Sequence, residues 1–482
     1  MDSAERYLTV DTMNPNLRHL VFPYPSPPVC RGNEIEEKIQ KGEKFPFEEV
    51  YHVHSGDPQG MGQNPVTFFQ QVSVLCFNRA LLQSPEFPSD AKKRAMTILE
   101  NCLGGKTGSY TACPGMLIVR QQAAKFIQKR DGVPASFEDI ILTNGATDAL
   151  RLVLSLFNYN PATKPPGVML PVPLFPVFSA TVTEYGMYSI NYYLNEEKQW
   201  ALDVEELRRA INLAKPYCEP KVLVIINPAN PSGFVLSQND MQNIIKFAYE
   251  ENLLILADEV YQYNVYDSEA KFYSFKKVIK EMGLPYSNMQ LASLFSVSKG
   301  FVGECGSRGG YCEFLNLDKD VKEILEKLHF ERSSPSMHGQ IVLYCITNPP
   351  QPDEPSYELF EREKSSILQS LKEKAKYCYG KLNSVEGLSC TKIVGAMFAF
   401  PKIEFSKKAL KEAQIRGLSP DEFYAMELLE ATGVCVLPGY YFRQRPGTYH
   451  FRLTILPQMD KLKIAIEYIL EFHLKFLEKY KD

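Results

Sequence analysis

Short apolar runs alternate with helical patterns through the middle of the chain. The runs are "DIILTNG" (139–145), "GVMLP" (167–171), "SINYY" (189–193), "KVLVIIN" (221–227), "LLILADE" (253–259), "LASLFSV" (291–297) and "GGYCEFLN" (309–316). Several are continuously apolar and β-branched, as in strands buried on both faces. Between them, "DVEELRRAINLA" (203–214) and "SQNDMQNIIKFAYEEN" (237–252) carry the helical period, and Ser237 with Asp240 has N-cap and first-turn chemistry. This alternation predicts an α/β domain with a mostly parallel, seven-stranded sheet. Only eleven residues, rich in glycine, separate "LASLFSV" from "GGYCEFLN". A parallel crossover needs more, so this pair is expected to be antiparallel.

The Pro-rich "TNPPQPDEPSYE" (347–358) reads as a boundary. A long amphipathic helix is expected at about 360–384, then strand-like "AMFAFPKI" (396–403) and "YHFRLTIL" (449–456), together a smaller α+β domain. The first ninety or so residues hold many prolines and few strand signals. The expected division is an arm with part of the small domain over 1–95, the large α/β domain over 96–346 and the small domain over 347–482.

Composition narrows the class. The 482 residues are 45% hydrophobic and 23% charged, as for a soluble protein with large cores, and the net charge of −4 offers no basic field to nucleic acid or anionic lipid. The eleven cysteines are scattered, without a CxxC pair, and the seven histidines show no metal-ligand spacing, so no metal is expected and the thiols read as reduced. The N-terminal "MDSAERYLTV" has no apolar core of a secretory signal and is too acidic for a transit peptide, and no run is long enough to span a membrane. The expected location is cytoplasmic.

Ligands of open α/β sheets sit beyond the carboxyl ends of the strands, and the polar residues there form a pattern. "NGATDA" (144–149) opens a helix, so its backbone N–H groups with the Thr147 hydroxyl make an anion site; an ordinary N-cap is the plain alternative. "NPANPSG" (227–233) is a rigid turn carrying asparagines. Asp258 ends a very apolar strand, where a carboxylate is costly unless a cation meets it, and Tyr261 follows. In "SVSKGFVGECGSRGGY" (296–311), Lys299 stands alone among glycines, with Ser296, Ser298 and Arg308 around it. A phosphate cradle, a carboxylate, a phenol, an amide and a lysine together describe a partner with a phosphate, a basic ring nitrogen, a phenolic oxygen and an aldehyde. That partner is pyridoxal 5′-phosphate (PLP). The glycines are expected to let the backbone crowd this ligand.

"NPANPSG", "DEVY", the lysine loop and "HFRLTILP" resemble the class I/II aminotransferases of PLP fold type I, in family order from about residue 14 to the C-terminus. "HSGDPQGMGQNPVTFFQQV" (54–72) and "GECGSRGGY" (303–311) look like the alanine-specific branch of that family. The resemblance implies that Lys299 forms the imine with the cofactor and is the catalytic base. Asp258 would pair with the ring nitrogen, and Tyr261 and Asn230 with the ring oxygen. Ala146, Thr147, Ser296, Ser298 and Arg308 would hold the phosphate, and Phe175 would stack on the ring. Arg452 would grip the substrate α-carboxylate, with Gly56 and Asn230 beside it. Tyr110 would reach the site of the neighbouring subunit of a homodimer.

The implied reaction is ping-pong transfer between L-alanine and 2-oxoglutarate, giving pyruvate and L-glutamate. A glyoxylate-preferring aminotransferase or a lyase of the same fold is the alternative. The chain departs from the family at Phe175, where Tyr is common, at Ala229 and Ser232 in the turn, and at Tyr440 and Tyr441, which stand where a small pair is usual and are expected to add bulk near the site. The sequence does not identify the group that meets a distal substrate carboxylate; Arg443 and Arg445 lie nearby, with surface charges as the plainer reading. No GxGxxG follows a strand, so a nicotinamide enzyme has no support. A binding module derived from the family would be expected to lack Lys299 or Asp258.

Overall fold

A computed structural model describes residues 8–22, 24–159, 163–332 and 334–482. Most of "MDSAERYLTV", the stretch read for targeting signals, lies outside the described residues. Seven strands form the large sheet: β1 (Ile140–Thr143), β2 (Pro166–Val172), β3 (Tyr188–Tyr193), β4 (Glu219–Ile226), β5 (Leu254–Asp258), β6 (Leu291–Ser296) and β7 (Gly310–Leu315), in the order β1-β7-β6-β5-β4-β2-β3. β7 runs antiparallel to both β1 and β6, and every other pairing is parallel. The short glycine loop therefore forms an antiparallel hairpin, as its length predicts. Six strands end on one edge of the sheet, and β7 begins there.

Alternation within each strand feeds two cores. In β4, Val222, Val224 and Ile226 pack on one face with helices Ala146–Ser155 and Val177–Glu184. Leu223 and Ile225 pack on the other, against helices Val204–Ala214 and Gln238–Glu250. Both faces are covered, which is why the strands read as unbroken apolar runs. The helix at 238–250 starts where the sequence predicts it. Ser237 and Asp240 cap each other reciprocally, satisfying two N–H groups that the first turn leaves free.

The C-terminal part builds its own core around Phe398, Tyr424, Phe451, Leu453 and Ile466. Helix Tyr357–Leu382 joins both bodies: Phe360 packs with the large-sheet side, whereas Leu371 and Cys378 pack in the small core. The N-terminal segment, expected as an arm with part of the small domain, contributes to both bodies. Val29, Ile35, Phe47 and Val50 pack with Leu429 and Cys435 of the small body. Val66, Phe69, Ala91 and Ile98, on or next to helices Thr67–Phe77 and Ser89–Glu100, pack against the large sheet beside Leu142 and Phe295. The aromatic and aliphatic faces of these two helices carry no strand pattern, yet they close one side of the large domain.

Candidate active site

The strand ends meet the small body across a cavity of about 340 Å³. Ala146, Thr147, Phe175, Asn230, Asp258, Tyr261, Ser296, Ser298, Lys299, Arg308, Arg452 and Gly56 all line it. Tyr110 does not. It is 90% exposed on the surface of its own chain.

Lys299 reaches inward, and its Nζ donates to the Gly56 carbonyl at 2.5 Å. Burial lowers its pKa, with nearby Arg452 and Arg308 acting in the same direction and Cys305 and Asp57 opposing. A lysine held in this way carries more free amine at neutral pH than a solvated one. Asp258, at the end of β5, is 7% exposed. Burial pushes its carboxyl up to about 7, offset only in part by the Val260 N–H at 3.4 Å and the charge of Lys299. A buried carboxylate with so little compensation calls for a cation opposite it. Burial, then the neighbouring Asp258, holds the Tyr261 phenol well above its usual range.

One chain of polar contacts ties the two bodies together. Arg452 Nη1 donates to Asn230 Oδ1 at 3.2 Å, and Asn230 Nδ2 lies 3.5 Å from the Tyr261 hydroxyl. Arg452 Nη2 donates to the His54 carbonyl at 2.9 Å. Its guanidinium is sandwiched between the Phe398 ring at 4.1 Å and the Phe442 ring at 4.6 Å. Its Nε is buried without a partner. Asn227, the other asparagine of the turn, is spent on the fold, accepting from the Leu236 N–H at 2.9 Å.

At the opposite end, Thr147 sits in the first turn of the helix that Gly145 opens. Ser296 Oγ and Ser298 Oγ are 3.0 Å apart, and Arg308 spans this rim by donating to the Asn144 and Cys305 carbonyls, both at 2.9 Å. A Cβ on Gly145 would lie 2.8 Å from Arg308 Nη2. Three hydroxyls, one guanidinium and a helix N-terminus converge here, the chemistry that suits a phosphate.

The family described as "Aminotransferase class I and II" matches residues 71–469. The chain belongs to the class I and II aminotransferases. This aminotransferase is 47% identical over 477 residues to the Danio rerio protein named alanine aminotransferase 2-like, across 98% of this chain and 87% of that one. It is 45% identical to Homo sapiens alanine aminotransferase 1, across 98% of this chain and 96% of that one. An Escherichia coli aminotransferase shares its fold at a TM-score of 0.74 and 21% identity, over 96% of this chain and 98% of that chain. The Pyrococcus furiosus alanine aminotransferase does so at 0.72 and 22%, over 98% and 100%.

The family implies PLP, and the residues of this aminotransferase fit it. The sparsely compensated Asp258 suits a ring cation, the helix N-terminus with its hydroxyls and Arg308 suits a phosphate, and the partly desolvated Lys299 suits an aldehyde. Two readings of the sequence are corrected. Gly309 and Gly310 make no room for a ligand: a Cβ on either would lie 2.5 Å from a backbone oxygen, of Gly339 or Phe295 respectively, so they permit the close stacking of β6, β7 and the helix at 337–347. Tyr440 and Tyr441 do not line the cavity. Tyr440 is half exposed, and the Tyr441 hydroxyl points to Glu422 at 3.4 Å. Phe442 is the residue of that stretch that turns inward. Arg443 and Arg445 also face away, toward Asn191 and the Tyr193 ring.

Sequence reasoning missed Phe398, Cys305, Phe178, Leu294 and Val260, which also line the cavity. Phe178, three residues after Phe175, was within reach of helical spacing. Phe398 was not, because its role comes from packing on Arg452.

Proposed function

We propose that this aminotransferase binds PLP and moves an amino group between L-alanine and 2-oxoglutarate, giving pyruvate and L-glutamate, as a cytoplasmic homodimer. The observation that carries this reading is the placing of Lys299, Asp258 and Arg452 around one cavity, in a chain similar along nearly its whole length to alanine aminotransferases. When bound, PLP supplies an aldehyde for the amino group and a ring that accepts the electrons released at the α-carbon.

The residues then have separable tasks. Arg452 binds the α-carboxylate, its guanidinium held flat between the Phe398 and Phe442 rings. Lys299 moves the α-proton, with its amine kept free by burial and aimed by the Gly56 carbonyl. Asp258 would hold the proton on the ring nitrogen. Tyr261 and Asn230 would pair with the ring oxygen, Phe175 would stack on the ring, and Ala146, Thr147, Ser296, Ser298 and Arg308 would hold the phosphate. The amino group stays with the enzyme after the first product leaves and before the acceptor binds, which is the basis of ping-pong kinetics, and donor and acceptor use the Arg452 site in turn.

The choice of donor is supported by charge. Among the described residues, the cations lining the cavity are Lys299, Arg308 and Arg452, each with a task above. A donor with a small uncharged side chain makes no further demand on them; the distal carboxylate of 2-oxoglutarate finds none of them free, so that acceptor is supported by the resemblance to alanine aminotransferases and not by charge. The expected order of kcat/KM is alanine above glycine, aspartate and phenylalanine, with 2-oxoglutarate above glyoxylate as acceptor. If aspartate or phenylalanine exceeds alanine tenfold, about 1.4 kcal/mol of transition-state preference, the substrate assignment fails and the transaminase assignment survives.

Tyr110 supports the dimer. Its exposed ring, near the exposed Leu103, is free to enter a second copy. Mixing inactive Lys299→Ala chains with inactive Tyr110→Ala chains tests this. Shared sites give hybrids with one doubly damaged and one intact site, so activity returns. No recovered activity in verified hybrids rejects the cross-subunit role.

A further inference from the structure

The strap that carries Gly56 and the His54 carbonyl to the cavity bears a second constellation. Residues 51–54 run beside 433–435: Tyr51 N donates to the Gly433 carbonyl at 2.8 Å, and Cys435 N to the Tyr51 carbonyl at 3.0 Å. This pairing brings Cys435 against both imidazoles. One potential ligand atom from each of His52, His54 and Cys435 lies within 4.8 Å of the other two.

Three further features bear on the cluster. His54 Nδ1 is buried without a hydrogen-bond partner, which is costly for an imidazole nitrogen. Glu36 Oε2 lies 3.3 Å from His52 Nε2, the carboxylate–imidazole contact that fixes the tautomer and orientation of metal-bound histidine. Gly32 faces the same point: a Cβ there would lie 3.5 Å from Cys435 Sγ and 3.7 Å from His52 Cε1. Its missing side chain leaves that side open for a water.

We propose that His52, His54 and Cys435 bind a divalent cation of the Zn²⁺ class, with Glu36 orienting His52 and a water as fourth ligand. Two imidazoles and a thiolate select zinc over the oxygen-seeking Mg²⁺ and Ca²⁺. Bonds of about 2.0–2.3 Å set tetrahedral ligand atoms about 3.5 Å apart, so atoms now within 4.8 Å of one another draw together by about 1 Å to close the site, and the Cys435 thiol gives up its contact with the Pro28 carbonyl. The cation replaces the thiol proton, which leaves to solvent. Bound there, it joins the 51–54 strap to the small body. The strap in turn holds Arg452 through the His54 carbonyl and Lys299 through the Gly56 carbonyl.

The test uses tag-free holoenzyme, stripped with a chelator, titrated with Zn²⁺ and gel-filtered before metal analysis. The expected result is about one zinc retained per chain, with a rise in melting temperature that follows the zinc concentration. His52→Ala and Cys435→Ser are each expected to weaken binding at least about tenfold. Co²⁺ is expected to give a thiolate-to-metal absorption that Cys435→Ser abolishes. Zinc that is not retained by the wild-type chain overturns the proposal, as does zinc held equally by both variants. Should Cys435→Ser not fold, His52→Ala decides by the same readings, because His52 is half-buried and sits outside the cores.

Discussion

Lys299→Ala will fold as the wild type does and lose nearly all turnover. In the proposed mechanism Lys299 is the general base, whose loss alone accounts for about 10²–10⁴ in rate, and also the amine through which substrates enter and leave. The side chain contributes little to the fold. Its Nζ makes a single contact, to the Gly56 carbonyl, at the edge of a cavity. Unfolding temperature and far-ultraviolet circular dichroism are therefore expected to stay near wild type, while kcat with alanine and 2-oxoglutarate collapses. A kcat within tenfold of wild type removes Lys299 from the mechanism. A large loss of stability would show that the lysine is a structural strut instead.

Asp258→Asn will separate charge from shape. In the cofactor-free protein, burial raises the Asp258 carboxyl from 3.8 to about 7. The sign follows directly. The folded state holds this proton more tightly than the unfolded state, so the group destabilises the apoprotein increasingly as pH rises from about 4 to 7, and fully above that. The penalty reaches about 4 kcal/mol. Asparagine has the same shape and no charge to desolvate. Apo Asp258→Asn is expected to match or exceed apo wild type in stability at pH 8, and to lose that advantage near pH 4.

With PLP bound the order reverses in function. Wild-type Asp258 meets the ring cation, whereas Asn does not hold the ring proton as an ion pair. Removal of the α-proton in a single turnover is then expected to slow by orders of magnitude, with amino acid binding retained through Arg452. Unchanged single-turnover proton removal would leave Asp258 a structural role only, and an apo stability profile parallel to wild type across pH 4–8 would show the carboxylate is not buried in solution.

Much of the site was legible because its residues follow strands. A β-strand buried on both faces announces itself, and the residues just past its end occupy one edge of the sheet whatever the rest of the chain does. Asp258 after "LLILA", Lys299 after "LASLFSV" and Thr147 after "DIILTNG" are of this kind. The glycines of the lysine loop show the limit of such reading. Their presence predicts close approach, but the partner of that approach is the backbone of Gly339 and of Phe295, which spacing does not reveal.

The sequence by itself determined the strand–helix alternation, the antiparallel hairpin at the lysine loop and the polar residues at the strand ends. These depend on local periodicity, capping and loop length, all of which act over a dozen residues or fewer. The tertiary structure alone decided what comes from the other body. It turned Phe442 inward and Tyr440 and Tyr441 outward, set Phe398 against Arg452, linked Arg452 to Asn230, and gave Lys299 the Gly56 carbonyl. It also placed Cys435 beside His52 and His54, although these residues stand at opposite ends of the chain. The physical reason is the same throughout. Which way a side chain faces after a turn, and which distant backbone lies against it, is fixed by the packing of whole elements and leaves no periodic trace along the chain.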